Sequence, residues 1–224
     1  MRSLVLFDID GTLVRKAGPQ HRQALEDAMR AVTGGEVSTQ GIPVHGMLDP
    51  DIITLTLQAV GFEPGRIAEL MPRIIESAQD VYDAIVPADL TDKQCPGVSD
   101  LLEHLRATDT ALALVTGNLT RIGWRKLQRA GLDHYFLFGA FGEMAPTRGG
   151  LARLAIARAR AGGLIDPDAS IALIGDAPQD VIAANENGIR CIAVRTGITA
   201  PGDLEACNPF CVLDDLTGLD RSII

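Results

Sequence analysis

Short runs of apolar residues, each ending in a small or acidic residue, alternate along the chain with longer stretches in which apolar positions return every three or four residues. Unbroken Val/Ile/Leu runs mark parallel strands buried on both faces, whereas the three-to-four spacing marks one face of a helix. The pattern predicts strands at 4–8, 111–116, 135–138, 171–175 and 191–194, with an edge strand at 210–213. Pro96-Gly97-Val98 opens a helix that runs to Leu105, and a second runs from Leu119 to Ala130, where Gly131 stops it. Helices at 151–160 and 178–187 complete the set, the latter stopped by Gly188. Strands alternating with helices predict an α/β fold with a Rossmann-like, doubly wound parallel sheet.

One interval breaks this rhythm. Residues 16–92 contain helical periodicity and almost no strand-like run. Asp49-Pro50 reads as a helix start, with Asp as N-cap and Pro in the first turn, after which Ile53, Leu57 and Val60 share a face. A second helical stretch spans 67–86, with Pro72 near its start. A helical insert of this size directly after the first strand would sit above that strand's carboxyl end, where open α/β sheets bind ligands. The expected division is a core of residues 1–15 and 93–224 around an insert of residues 16–92, hinged near 14–18 and 87–96.

The composition narrows the function. The chain has 224 residues, 46% of them hydrophobic, enough to fill such a core, with no internal repeat or low-complexity segment. With 20 Lys plus Arg against 29 Asp plus Glu the net charge is −9. That balance disfavours nucleic acid and anionic membrane surfaces, both of which are held by basic residues. No apolar run approaches the length that spans a bilayer, and the segment before the first strand is too short for a signal peptide, so a cytoplasmic location is expected. Cys95, Cys191, Cys207 and Cys211 read as reduced thiols, with no disulfide framework and only a weak zinc spacing at Cys207 and Cys211. His21, His45, His104 and His134 lack the spacing of a triad or metal site and read as structural or exposed, and Trp124 reads as core.

Three strand ends carry candidate chemistry. The first reads Phe7-Asp8-Ile9-Asp10-Gly11-Thr12. Two carboxylates one residue apart at the mouth of a buried strand require a cation or a shared proton, and Mg²⁺ suits a carboxylate and carbonyl donor set. The second, Thr116-Gly117-Asn118, offers a hydroxyl, a close-approach glycine and a helix start, the makings of an anion cradle; a plain helix cap at Asn118 is the simpler alternative. In the third, Gly175-Asp176-Ala177-Pro178-Gln179-Asp180, Asp176 ends a strand and Asp180 lies one turn into the next helix, so both can face one point above the sheet. With Asp8 and Asp10 they make four carboxylates, enough to hold a divalent ion directly and through its waters. Arg148, the only basic residue between the third strand and its helix, can bind phosphate oxygens with its fork.

In these residues the chain resembles the haloacid dehalogenase superfamily, in particular its phosphatases with a helical cap. Asp8-Ile9-Asp10-Gly11-Thr12 looks like the first family motif, Thr116-Gly117-Asn118 the second, Arg148 the third, and Gly175-Asp176 through Asp180 the fourth. The resemblance implies a nucleophilic Asp8 that accepts a phosphoryl group, and an Asp10 that protonates the leaving oxygen and then activates water. It also implies Mg²⁺ ligated by Asp8, the Asp10 carbonyl and Asp176, with Asp180 orienting the ion and its waters. A small phosphoester would be the substrate, with no nucleic acid or membrane partner, and the chain a monomer or weak homodimer. Phosphomutases of the same superfamily share the first half-reaction, and a phospho-acceptor module without turnover is an alternative from another class. The chain departs from the family in two places. The third motif is Arg rather than the commoner Lys, and Gly46-Met47-Leu48-Asp49 is apolar where phosphoglycolate-type relatives carry a basic residue. An apolar loop there cannot grip a substrate carboxylate.

Overall fold

The computed structural model describes residues 3–15 and 17–219. Lys16, where the insert was expected to begin, and the chain ends at 1–2 and 220–224 lie outside them. Six strands, β1 (Ser3–Phe7), β2 (Thr110–Val115), β3 (Phe138–Ala140), β4 (Ile171–Gly175), β5 (Arg190–Val194) and β6 (Cys211–Leu213), form one parallel sheet in the order β3-β2-β1-β4-β5-β6. The helices among the described residues are α1 (Gln20–Thr33), α2 (Asp49–Ala59), α3 (Pro64–Ile85), α4 (Val98–Arg106), α5 (Thr120–Ala130), α6 (Arg148–Ala161) and α7 (Pro178–Glu186).

Strand β1 shows why the central strands read as continuous apolar runs. Leu4 and Leu6 face one side of the sheet and Val5 and Phe7 the other, and all four are fully buried. Leu101, Leu102 and Leu105 of α4, with Leu127 and Ala130 of α5, cover the Val5/Phe7 face. Leu151, Ala155 and Ala159 of α6, with Val181 and Ala184 of α7, cover the opposite face. The sheet is therefore doubly wound, as expected. From β1 the order runs one way to β2 and β3, and from β4 the other way to β5 and β6, which leaves a crevice between their carboxyl ends at the switch point. Register aligns Phe7 with Leu114 and with Ile174, so the segments that follow all three strands emerge at the same edge.

Helices α1, α2 and α3 fill the interval after β1. Leu25, Met29, Ile53, Leu57, Ile74 and Tyr82 pack into one cluster, which Leu119 and Ile122 join from the start of α5. The strands of chain that enter and leave this interval run side by side: the Arg15 amide donates to the Lys93 carbonyl at 2.9 Å and the Cys95 amide to the Leu13 carbonyl at 3.0 Å. No described helix is long and apolar enough to cross a membrane, and all four cysteines are free thiols.

Three sequence expectations shift, and one helix is added. The third strand lies at Phe138–Ala140, because residues Asp133–Tyr135 close a 3₁₀ turn that consumes the Tyr135 amide, and pairing with β2 carries the Gly-Ala segment instead. Helix α6 begins at Arg148, where the Thr147 side chain accepts from the Gly150 amide at 3.0 Å. Asp49 is the first residue of α2, after an extended Leu48, and its carboxylate does not cap its own helix. Helix α1, which periodicity did not separate from its surroundings, starts after Pro19 and stops at Gly34, whose φ of 72° is left-handed.

A half-exposed ion-pair network also joins α3 to α5. Arg121 lies 2.9 Å from Glu76 and 2.8 Å from Asp80, and Arg125 lies 2.7 Å from Asp83. Exposed pairs contribute roughly 0–1 kcal/mol each and are screened by salt. Replacing both arginines by alanine should therefore lower stability by about 1–2 kcal/mol at low salt and by clearly less at about 1 M salt, read by urea denaturation. A loss unchanged by salt would assign these side chains to packing instead.

Candidate active site

The crevice at the ends of β1 and β4 gathers most of the residues singled out in the sequence. Asp8 follows β1, with its amide donating to the Ile174 carbonyl at 3.0 Å, and its side chain is buried. The chain then turns back at once, as the Ile9 carbonyl accepts from Leu13 and Val14, both at 2.9 Å. Gly11 permits that turn: its φ is 87°, and a β-carbon there would collide with the Asp176 carboxylate. Thr12 donates to Asp176 Oδ1 at 3.2 Å, which ties the first strand end to the fourth.

Asp180 performs two tasks. Its Oδ2 accepts from the Ala177 amide at 3.1 Å and caps the start of α7, while its Oδ1 faces Arg148 Nε at 3.2 Å. Arg148, buried at the start of α6, also donates from Nη1 to Asp8 Oδ1 at 3.1 Å. Asp8, Asp176 and Asp180 each bring a carboxylate oxygen within 4.8 Å of the others. Asp10 does not join that triad through its side chain. Its carboxylate turns to Lys126, whose Nζ lies 2.7 and 2.6 Å from its two oxygens, and to Asn118, whose Nδ2 donates to Oδ2 at 2.8 Å. Asn118 also donates to Thr116 Oγ1 at 2.7 Å, so its side chain serves the site and does not cap α5.

Burial and crowding set the protonation of these groups. Burial, opposed by Arg148 and reinforced by Asp180 and Asp10, pushes Asp8 up to about 7. Burial and then the Asp8 and Asp180 charges push Asp176 up to about 9, and burial raises Asp180 as well. Asp10 is the exception. Burial would raise it, but the Lys126 charge, with the hydrogen bonds from Lys126 and Asn118, holds it below the usual carboxylate range. With all four carboxyl groups ionised they would face two cations, Arg148 and Lys126, a deficit of two positive charges. Asp176 Oδ2 is buried with no hydrogen-bond partner among the described residues. That orphaned oxygen, within an all-carboxylate donor set, fits a hard divalent cation such as Mg²⁺.

A cavity of about 500 Å³ opens onto this edge, lined on the sheet side by Asp8, Asp10, Gly117, Asn118, Arg148 and Asp176. Thr116 and Asp180 stand behind that lining. The helices after β1 and the loop between α1 and α2 form the opposite wall with His21, Arg22, His45, Met47, Ile52 and Tyr82. Leu48 is buried in the core, on the α6/α7 side of the sheet.

Two histidines that the sequence left as structural or exposed lie here. His21 Nε2 is 2.9 Å from Asp49 Oδ2 and its Nδ1 is 3.1 Å from Lys126 Nζ. An ammonium can only donate, so Nδ1 accepts and Nε2 carries the proton to Asp49. His45 Nε2 meets Thr199 Oγ1 at 2.7 Å, and that hydroxyl donates to the Asp176 carbonyl at 2.6 Å. Lys126 had a signal in the sequence that went unused: it stands four residues from both Ile122 and Ala130, on the buried face of α5. His21 had none, because its partners lie 28 and 105 residues away.

Residues 3–188 match the family model of the haloacid dehalogenase-like hydrolases. A phosphoglycolate phosphatase of Synechococcus elongatus is 27% identical, covering 98% of this chain and 96% of the relative, and one of Pseudomonas putida is 25% identical over 96% and 78%. The crystal structure of a beta-phosphoglucomutase from Clostridium difficile superposes with a TM-score of 0.70 at 18% identity, covering 99% of this chain and 95% of that one, a likeness of fold. The fold, the strand-end carboxylates and the family match together place the chain in the haloacid dehalogenase-like hydrolase family.

Proposed function

We propose that this hydrolase cleaves a small phosphoric monoester with the help of Mg²⁺, through a phosphoryl group carried transiently on Asp8. The observation that carries this reading is the buried Asp8 carboxylate, which opens on the cavity beside Arg148 and against the Asp8–Asp176–Asp180 triad. Asp8 Oδ attacks phosphorus, the bond to the leaving alcohol breaks, and the alcohol oxygen takes a proton from Asp10, which acquires it from solvent as the negative charge of the phosphoester enters beside it. Water then attacks the phosphoryl group and gives a proton to Asp10, and the bond to Asp8 breaks. Asp8, Asp176 and the Asp10 carbonyl would hold the cation, with Asp180 orienting it, and the cation supplies charge neutralisation at the transferring group. Arg148 contributes the same charge from the protein side, and Thr116, Gly117 and Asn118 cradle the remaining oxygens.

Residues 16–92 serve in this reading as a cap over a core of residues 1–15 and 93–224, and they choose the substrate. Met47 lends no charge, but Arg22 does. Its Nε is held by the buried Thr39 hydroxyl at 2.5 Å, and among the described residues its terminal nitrogens make no hydrogen bond. Phosphoglycolate, the substrate named for the relatives, therefore belongs in the panel of phosphorylated metabolites to be screened for phosphate release. Accumulation of an isomerised sugar phosphate in place of free phosphate would assign a phosphomutase.

Asp8→Asn should abolish turnover with little change in the melting temperature, because it removes the nucleophile and preserves the shape. Activity near wild type would exclude the mechanism. Chelation should stop phosphate release, and Mg²⁺ should restore it; full turnover without a divalent ion would remove the proposed site. The raised carboxyl groups also predict a pH effect. Asp8 at about 7 and Asp176 at about 9 bind protons in the folded state that the unfolded chain, with a value of 3.8, has released. The contribution of these two groups to the stability of the ion-free protein is thus fully present below about pH 4 and is lost as pH rises through 7 and 9. Melting curves should show that decline, and Mg²⁺ or Asp176→Asn should flatten it. A melting temperature independent of pH would contradict the burial of these groups.

A further inference from the structure

Lys126 takes no part in the steps above, yet it is among the largest fully buried side chains of the molecule. Lysine is almost never found so deep unless its charge is matched. Here every donor of the ammonium is used: one on the two oxygens of Asp10, one on Asn118 Oδ1 at 2.7 Å and one on His21 Nδ1 at 3.1 Å. Asn118 Nδ2 closes the ring by donating to Asp10 Oδ2. The Asp10 side chain remains 44% exposed, whereas that of Lys126 is only 2% exposed, so the lysine grips the carboxylate from behind while the carboxylate borders the cavity.

The torsion that sets the plane of an aspartate carboxyl group is broad and soft. Left alone beside a cavity, Asp10 would turn freely. We propose that Lys126 is a positioning residue for Asp10, fixing the plane in which that carboxyl group exchanges protons with the leaving oxygen and with water. His21, steadied by Asp49, holds the ammonium from the side of the inserted helices. The proposal rests on the phosphatase reading above. It differs from simple pairing of a buried charge, because a lysine that only stabilised the fold would affect all substrates alike.

Leaving groups separate the two roles. p-Nitrophenolate departs without a proton, whereas an alkoxide requires one. In Lys126→Met, kcat/KM for an alkyl phosphate such as glycerol phosphate should fall on the order of 10²-fold, while that for p-nitrophenyl phosphate falls only several-fold. Asp10→Asn should show the same split, and the double variant should lose no more than Asp10→Asn alone, since both changes act through one group. If melting curves show that Lys126→Met does not fold, Lys126→Gln, which retains length and a donor, should show the split in weaker form. Equal losses on both esters, no loss, or additive losses in the double variant would overturn the proposal while leaving the phosphatase reading intact. A wild-type protein that hydrolyses neither ester would overturn both.

Discussion

Mutual repulsion among carboxyl groups is the constraint around which the rest of this molecule is arranged. Asp8, Asp176 and Asp180 sit at the buried edge of two adjacent strands, where water cannot screen them. In so dry a setting like charges cannot all remain ionised unless something positive is brought in. The fold brings in Arg148 from the first residue of α6, and leaves Asp176 Oδ2 without a hydrogen bond among the described residues. Asp10, two residues beyond Asp8, escapes the crowd by turning to Lys126. One pair of neighbouring aspartates is thereby divided, Asp8 pushed up by burial and Asp10 held down by Lys126; in the proposed reaction Asp8 attacks as the anion once a cation neutralises the triad, and Asp10 takes up a proton when the phosphoester brings its own negative charge.

Much of this could be seen in the sequence, for a physical reason. Strands buried on both faces are continuous apolar runs, so β1, β2, β4 and β5 stand out, and an aspartate that ends such a run has few innocent explanations. Strand β3 was harder, because Phe138-Gly139-Ala140 has little intrinsic preference for extension and depends on its neighbour. The partners of the site were harder still. Arg148 lies in a loop-to-helix segment close to its expected place, but Lys126, His21 and Asp49 meet only through tertiary folding. A lysine on the apolar face of α5 was the one local trace of that cluster.

The stretch Thr116-Gly117-Asn118 also has a second role beside the one its composition suggests. The Gly117 carbonyl accepts from the Asp49 amide at 2.8 Å, and the Asp49 carboxylate accepts from the Leu119 amide at 2.8 Å. The Met47 carbonyl packs so closely against Gly117 that a β-carbon would collide with it. The glycine proposed to let an anion approach is thus also the seat on which α2 rests, which couples the shape of that proposed cradle to the position of the helices above it.

The side-by-side course of the chain at Leu13–Arg15 and Lys93–Cys95 has an evolutionary consequence. Because the intervening segment leaves and returns at one point, the sheet experiences it as a single long loop, and the entropy of closing such a loop grows only logarithmically with length. Whole helices can be lengthened, traded or lost between these two points without shifting the register of β1 against β2. In the proposed reading the wall of the cavity opposite the sheet can then change while β1 keeps its register against its neighbours, provided that the seat of α2 on Gly117 is kept.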